Sequence, residues 1–116
     1  MFLLYYCKKD FDVQKAERWF RERRIPVQLK DLTRAPLGRR ELEAVRAAVG
    51  LEAMIDREGR AWKECPARFA AGEAAILDAL AADPRRLKLP IVREGRRATV
   101  GYAPDAWQEW ANAQKG

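Results

Sequence analysis

Histidine is absent from the 116 residues of this chain. Its absence excludes any mechanism in which a histidine of this chain acts as general base or completes a catalytic triad. Only two cysteines are present, Cys7 and Cys65. A structural zinc site takes four soft ligands and is therefore not expected. The two cysteines lie far apart in the sequence, and in a reducing compartment no stable disulfide is expected between them.

Long apolar runs are also missing. The apolar stretch at residues 2–6 is too short for a membrane span or a signal peptide and leads directly into Lys8 and Lys9. We therefore expect no membrane partner and a cytoplasmic location. With 48% apolar and 34% charged residues, the composition is typical of a globular chain rather than a disordered one. The length suits a single domain over residues 1–116.

The charge balance is basic, with 23 Lys and Arg against 17 Asp and Glu and a formal net charge of +6. The basic residues are scattered, and most have acidic neighbours. No motif of aromatic and basic residues suited to base stacking accompanies them. Binding to nucleic acid would rest on charge alone, so we interpret the charge as a mixed, solvated surface. The chain is expected to be a monomer.

Hydrophobic periodicity predicts the element order β-α-β, then a helical segment, then β-β-α. An apolar strand at residues 2–6 precedes an amphipathic helix, which Asp10 or Asp12 can cap. The other predicted elements are a strand at 27–32, a helix at 39–49, a short helical turn at 51–55, a helix at 69–82, strands at 90–93 and 98–101 around a turn at 94–97, and a helix at 104–111. This order predicts an α/β fold, a thioredoxin-like four-stranded mixed sheet flanked by helices.

The large aromatic residues are predicted to form the core rather than a ligand site. They are Trp19, Phe20, Trp62, Trp107 and Trp110. Leu42, Val45 and Val49 share one face of the second helix, and Ile76, Leu77 and Leu80 are the expected core positions of the alanine-rich helix. Cys65 has no activating neighbours in the sequence, and a packing role is expected for it.

A series of short motifs extends in order over nearly the whole chain. The motifs are Tyr5 with the turn after it, residues 14–20, Ile25-Pro26, Asp31, residues 49–55, residues 57–59, Trp62-Lys63, residues 87–92, residues 100–102 and the aromatic last helix. As a set they resemble the arsenate reductase (ArsC) and Spx-like family, and most of all its Spx-like reductases. The resemblance implies a thioredoxin-like core at about residues 1–32 and 87–116, with a helical insert at about 33–86 that carries no chemistry of its own. It also implies a cis-proline at Pro90.

The resemblance implies a thiol oxidoreductase with no bound cofactor and with glutathione as a potential co-substrate. Two positions depart from the family's pattern. Asp10 falls where the family has its nucleophilic cysteine, and Leu89 falls where the family has the arginine that holds the oxyanion. An aspartate cannot attack arsenate and then be released by a thiol reductant, and a leucine cannot bind an oxyanion. Val13 replaces the second cysteine of the Spx-type CxxC motif. Arsenate reduction by the family mechanism is therefore predicted to be absent.

Cys7 is the one thiol near this turn. Lys8 and Lys9 favour its thiolate and Asp10 disfavours it, so it is either a displaced nucleophile or a small buried hydrophobe. The two lysines could bind an anion together with the backbone N–H groups of the helix end, or they are simply solvated.

Leu89 and Pro90 could present backbone groups to a thiol peptide or to glutathione, or they could serve only the fold. Two functions thus stay open beside the inactive-reductase interpretation. One is a glutathione-linked or protein-thiol reductase that uses Cys7. The other is a non-catalytic, Spx-like regulatory module that binds a protein partner.

Overall fold

A computed structural model describes residues 1–69 and 72–115 of the chain. The strands are β1 (Phe2–Tyr6), β2 (Val27–Asp31), β3 (Ile91–Glu94) and β4 (Arg97–Val100). The helices are α1 (Phe11–Glu22), α2 (Arg39–Val49), α3 (Leu51–Met54), α4 (Arg60–Lys63), α5 (Glu73–Ala82) and α6 (Pro104–Lys115), with 3₁₀ turns at Pro66–Phe69 and Pro84–Arg86. No described helix is both long and apolar enough to cross a membrane.

The four strands form one mixed sheet in the order β2-β1-β3-β4. β1 is parallel to β2 and antiparallel to β3, and β3 is antiparallel to β4. The predicted α/β fold, a four-stranded mixed sheet flanked by helices, is therefore confirmed. The helices α2 to α5 and both 3₁₀ turns lie between β2 and β3. They fall within residues 33–86, the range predicted for the helical insert.

Side-chain alternation along β1 divides the core into two layers, because successive residues of a strand point to opposite faces. Phe2 and Leu4 point to the layer that contains α1 and α6. Tyr5 points to the layer built by the insert. A central strand covered on both faces is almost continuously apolar, which explains the short apolar run that begins the chain.

The layer under α1 and α6 is an aromatic cluster. Trp107 is fully buried, and its ring centroid lies 5.2 Å from that of Phe20 and 5.5 Å from that of Trp19. Its indole Nε1–H donates to Thr99 Oγ1 at 2.7 Å, so burial leaves no unpaired polar atom on the ring. Each large side chain buried in this way stabilises the fold by roughly 1.5–3 kcal/mol. The predicted core role of the aromatic residues, including Trp62 and Trp110, is confirmed.

The insert forms the second layer against the other face of the sheet. Leu42, Val45, Leu77 and Leu80 are buried there, as predicted, together with Cys65 at 2% exposure. Val49 and Ile76, expected at core positions, lie only half-buried at the edge of this layer.

Several predicted element ends are wrong. The alanine-rich helix was expected from residue 69, but Pro66–Phe69 forms a 3₁₀ turn and α5 begins at Glu73, with Gly72 as its N-cap in extended backbone. Residues 70 and 71 of that prediction lie outside the described part of the chain. The last helix continues to Lys115 instead of ending at residue 111, because no helix-breaking residue follows the last core position.

The strands of the hairpin also differ from their predicted positions by one residue. Glu94 pairs with Arg97, so only Gly95 and Arg96 form the connection. Gly95 has a φ of +61°, which glycine adopts without steric cost and which permits this tight turn.

Candidate functional site

A cleft of about 500 Å³ opens where β1 ends, between the β1–α1 turn, the insert and the segment before β3. We call it the β1 cleft. The residues that line it are Cys7, Lys8, Asp10, Asp12, Asp56, Gly59, Arg60, Ala61, Glu64, Arg85, Leu87, Lys88 and Leu89. The β1–α1 turn, which contains Cys7, therefore faces an open cleft rather than the protein core.

Cys7 follows β1 on the same side of the strand as Tyr5, and this alternation directs it toward the insert. The residue is half-buried and lines the β1 cleft without belonging to either core layer. Burial raises the pKa of its thiol above the ordinary value, and the nearby Asp83 carboxylate raises it further, whereas Arg85 acts in the opposite direction. Cys7 is thus accessible, but at neutral pH it is mostly a thiol rather than a thiolate.

Asp10 is the N-cap of α1. Its Oδ1 accepts a hydrogen bond from the backbone N–H of Val13 at 3.0 Å, and its backbone carbonyl accepts from the N–H of Gln14 at 3.0 Å. The capping role expected for Asp10 or Asp12 thus belongs to Asp10. A carboxylate also interacts favourably with the positive end of the helix dipole, which is the position where a thiol would gain most acidity.

Leu89 and Pro90 border the cleft on the far side, and the peptide bond between them is cis. Leu89 is half-buried and lines the cleft, while Pro90 is buried behind it and its carbonyl accepts from the N–H of Gly101 at 2.9 Å. The cleft thus brings Leu89 close to Cys7 and Asp10 of the β1–α1 turn, from which it is distant in sequence.

Comparison with known proteins identifies the family of this chain. The model of the ArsC family matches residues 5–110. The chain belongs to the ArsC family. It is 25% identical to "uncharacterized protein YusI" of Bacillus subtilis (strain 168) over 113 residues, which cover 92% of this chain and 96% of that one.

Solved structures agree in fold. The structure of "YFFB protein" is 26% identical, with a TM-score of 0.85 and coverage of 94% of this chain and 97% of that one. "Arsenate reductase from Vibrio cholerae" is 20% identical, with a TM-score of 0.81 and coverage of 93% and 95%. The latter likeness shows the shared fold.

The two lysines after Cys7, expected either to bind an anion with the helix end or to be simply solvated, lie in different surroundings. Lys8 lines the β1 cleft. Lys9 does not line it, and its Nζ lies 3.1 Å from Glu17 Oε1 and 5.5 Å from the centre of the Tyr6 ring. Of the two lysines, Lys8 is therefore the one placed to meet a ligand in this cleft.

The insert supplies the wall that the sequence did not reveal. Asp56, Arg60, Glu64 and Arg85 come from its turns and short helices, and no motif in the sequence marked them as site residues. Gly59 also lines the cleft, and a Cβ at this position would lie 2.5 Å from Asp56 Oδ2. Arg85 Nη2 lies 2.8 Å from Asp83 Oδ2, and Arg60 Nε lies 3.0 Å from Glu64 Oε1, so each guanidinium has an acidic partner. The insert thus contributes charged groups to the lining of the cleft. That it carries no chemistry of its own stays a prediction.

The cleft is electrically mixed rather than positive. Four basic side chains lie among its lining residues, and four acidic ones oppose them. The basic residues are Lys8, Arg60, Arg85 and Lys88, and the acidic residues are Asp10, Asp12, Asp56 and Glu64. In the described part of the chain, no group of three or more potential ligands is arranged for a metal ion. Such a surface is suited to a zwitterionic or peptide ligand more than to a small oxyanion.

Proposed function

We propose that this ArsC-family chain is a non-catalytic, protein-binding member of reductase ancestry that does not reduce arsenate by the family's thiol mechanism. One observation carries the proposal. The Asp10 carboxylate caps α1 at the position where the resemblance places the family's nucleophile, with its Oδ1 3.0 Å from the Val13 nitrogen.

Two further features of the cleft oppose oxyanion chemistry. Leu89, at the position of the family's oxyanion-binding arginine, offers an apolar side chain to the cleft. The acidic residues Asp10, Asp12 and Asp56 line the same space and offset the attraction that its basic residues would exert on arsenate. An enzyme for this reaction needs an excess of cationic groups directed at the developing negative charge.

Two lysines support a binding role. Lys8 and Lys88 line the cleft, and within the described ranges neither ammonium group has a carboxylate within 4.0 Å. They are therefore available to pair with carboxylates of a partner. Interfaces of this kind gain specificity and association rate from charge complementarity. An Spx-like regulatory protein would use such a surface to bind a protein component rather than a small substrate.

An arsenate reduction assay with glutathione and a glutaredoxin tests the loss of catalysis. The wild-type chain should give no turnover above the rate without protein, while an active ArsC-family reductase serves as positive control. Turnover by the wild-type chain that disappears in Cys7→Ser would overturn the proposal, because it would show that a displaced thiol performs the reaction.

Affinity capture from the source cell tests the binding role. We expect Cys7→Ser to keep the captured partner and Lys88→Glu to lose it, because the second substitution reverses a charge in the cleft. Arg40→Glu is the matched control, since Arg40 is exposed on α2 and does not line the cleft. Equal capture by Lys88→Glu and wild type would contradict a role for this surface.

A second function is favoured by the position of Cys7 in the cleft rather than in the core. As a glutathione-linked or protein-thiol reductase, the Cys7 thiolate would attack a disulfide such as oxidised glutathione. A Cys7–glutathione mixed disulfide forms and one glutathione thiolate leaves. Intact-protein mass spectrometry detects the added glutathionyl group. Its absence after incubation at mildly alkaline pH, where the thiolate is populated, would exclude this alternative.

A further inference from the structure

The outer edge of β2 is free of a strand partner, because β2 lies at one side of the sheet and pairs with β1 alone. The N–H of Leu32 donates to the Tyr6 carbonyl at 2.8 Å and so fixes which residues face β1. Backbone groups of successive strand residues alternate between the two edges. The residues whose N–H and C=O groups face away from the sheet are therefore Val27, Leu29 and Asp31.

The outward backbone groups of β2 differ in whether they have hydrogen-bond partners. The Asp31 carbonyl accepts from the N–H groups of Arg34 at 3.1 Å and Ala35 at 3.2 Å, where the chain turns away. For Leu29, no hydrogen bond to either outward backbone group occurs within the described ranges. The same holds for the Val27 carbonyl and the Asp31 N–H. These groups form a short row of unpaired donors and acceptors.

β2 is short and carries Lys30, which are features that protect an edge strand, but two other protective features are missing. The register between β1 and β2 runs without interruption from Val27 to Asp31, so no bulge twists the edge away, and no proline occurs within the strand. Leu29, at the centre, exposes 39% of its surface. A groove of about 530 Å³ opens between the strand and the loop at residues 34–37, and the backbone of that loop bonds to the edge at the Asp31 carbonyl.

We infer that β2 pairs antiparallel with β2 of a second copy of this chain, about a two-fold axis at Leu29. In this register Leu29 and Leu29 of the second copy exchange both of their hydrogen bonds. Each Asp31 N–H then faces the free Val27 carbonyl across the axis. The two exposed leucine side chains come together on one face and are removed from water.

Charge selects this register over its neighbours. With the axis at Leu29, Lys30 lies opposite the neutral Gln28 of the second copy. A pairing shifted by one residue toward the C-terminus would place Lys30 opposite Lys30, which is unfavourable. The opposite shift would place Asp31 beyond the end of the partner strand and lose its hydrogen bond. The sequence of β2 is thus complementary to itself in a single register.

The dimer is weak by its dimensions. Two strands of five residues bury less than the roughly 1,200 Å² typical of stable interfaces. Each copy also carries a formal charge of +6, so long-range repulsion opposes association at low ionic strength. The dimer fraction should therefore increase with protein concentration, and also when low salt is replaced by physiological salt.

Sedimentation velocity over a wide range of concentration tests the inference with the full chain. We expect a reversible monomer–dimer equilibrium in the wild type. Leu29→Asp should weaken it at least about tenfold, because two carboxylates would lie opposite each other at the axis. Leu29→Pro should abolish it, since proline removes an N–H that β1 does not use and is tolerated at a strand edge. Phe11→Ser, at an exposed aromatic residue away from β2, should leave the equilibrium unchanged.

Amide hydrogen exchange locates the interface. The amides of Leu29 and Asp31 should gain protection with increasing concentration, and those of exposed residues elsewhere should not. A chain that remains monomeric at every concentration would overturn the inference and would leave the edge to a strand of another protein. A dimer that persists in Leu29→Pro, or that forms without protection at Leu29, would overturn it as well.

Discussion

Asp10 Oδ1 accepts a hydrogen bond from the backbone N–H of Val13 at 3.0 Å, and this bond caps the N-terminal end of α1 beside the β1 cleft. The first N–H groups of a helix have no partner within the helix, so a capping carboxylate satisfies one of them. The relationship is local, because three residues separate the partners. It accounts for the carboxylate in structural terms at a site where the ArsC family is expected to carry a thiol.

Removal of the cap should lower stability. We expect Asp10→Ala to reduce the free energy of unfolding by about 1 kcal/mol, and Asp10→Asn to retain most of it, because an amide oxygen can accept the same hydrogen bond. Urea denaturation measures the difference. Asp12→Ala is the matched control, since Asp12 lies in the first turn but is not the cap. Equal losses in Asp10→Ala and Asp12→Ala would show that charge near the helix end, and not the hydrogen bond, is responsible.

The reactivity of Cys7 should follow its raised pKa. Since burial and the Asp83 carboxylate both raise the pKa of the thiol, Cys7 should react with iodoacetamide more slowly than free cysteine at neutral pH. Asp83→Asn should accelerate the reaction, because it removes a like charge and leaves Arg85 to favour the thiolate. The rate is followed against pH by mass spectrometry in a Cys65→Ala background.

Asp78→Asn is the control for that series. Asp78 is an exposed acid of α5 that pairs with Arg39 and does not line the cleft. Its substitution should leave the rate unchanged. A Cys7 that reacts faster than free cysteine in the wild-type chain would contradict the predicted direction.

The pairing of Asp83 with Arg85 should make stability depend on pH at the acidic end. Hydrogen bonds from Arg85 hold the pKa of Asp83 below its ordinary value. A carboxylate with a lowered folded-state pKa stabilises the fold above its unfolded-state pKa, and this contribution is lost as the pH falls through the folded-state value.

Wild type should accordingly be more stable than Asp83→Asn at neutral pH. The difference between their free energies of unfolding should decrease below about pH 4, where the carboxylate becomes protonated. Urea titrations at several pH values measure both proteins. Asp105→Asn, at an acid on α6 with no ion pair within the described ranges, should show no comparable change. A gap that widens as the solution becomes acidic would contradict the sign.

The Tyr5 hydroxyl links β1 to the insert, and its removal should lower the free energy of unfolding. The Tyr5 hydroxyl donates to Glu41 Oε2 at 2.5 Å, and Arg93 Nη1 donates to the hydroxyl at 3.4 Å. Burial, and then the bond to Glu41, raise the pKa of Tyr5 to about 12. Tyr5→Phe should lower the free energy of unfolding by roughly 1.5–3 kcal/mol, because it removes the donor to Glu41 Oε2.

Tyr6→Phe is the control for this substitution, since Tyr6 lies on the opposite face of β1 and is only half-buried. A double-mutant cycle of Tyr5→Phe with Glu41→Gln separates the hydrogen bond from the loss of packing. Additive effects of the two substitutions would show that the bond contributes nothing to stability.

Much of the fold could be predicted because its determinants are local. Trp19 and Phe20 follow Val13 and Ala16 at helical spacing, and Trp107 and Trp110 are three residues apart in the last helix, so the periodicity predicts the burial of these rings. Where the determinants are weak, the prediction failed. The start of α5 at Glu73 depends on backbone geometry at Gly72, which an alanine-rich sequence does not specify.

The sequence by itself determined the family and the order of strands and helices, because motif spacing and periodicity are properties of neighbouring residues. That Asp10 and Leu89 replace functional residues of the family stays a prediction. The tertiary structure decided what surrounds Cys7. The direction of a side chain after a strand depends on alternation, and its electrostatic environment depends on Asp83 and Arg85, which are close to it only in the folded chain. The free edge of β2 is likewise a result of sheet order, which no local pattern encodes.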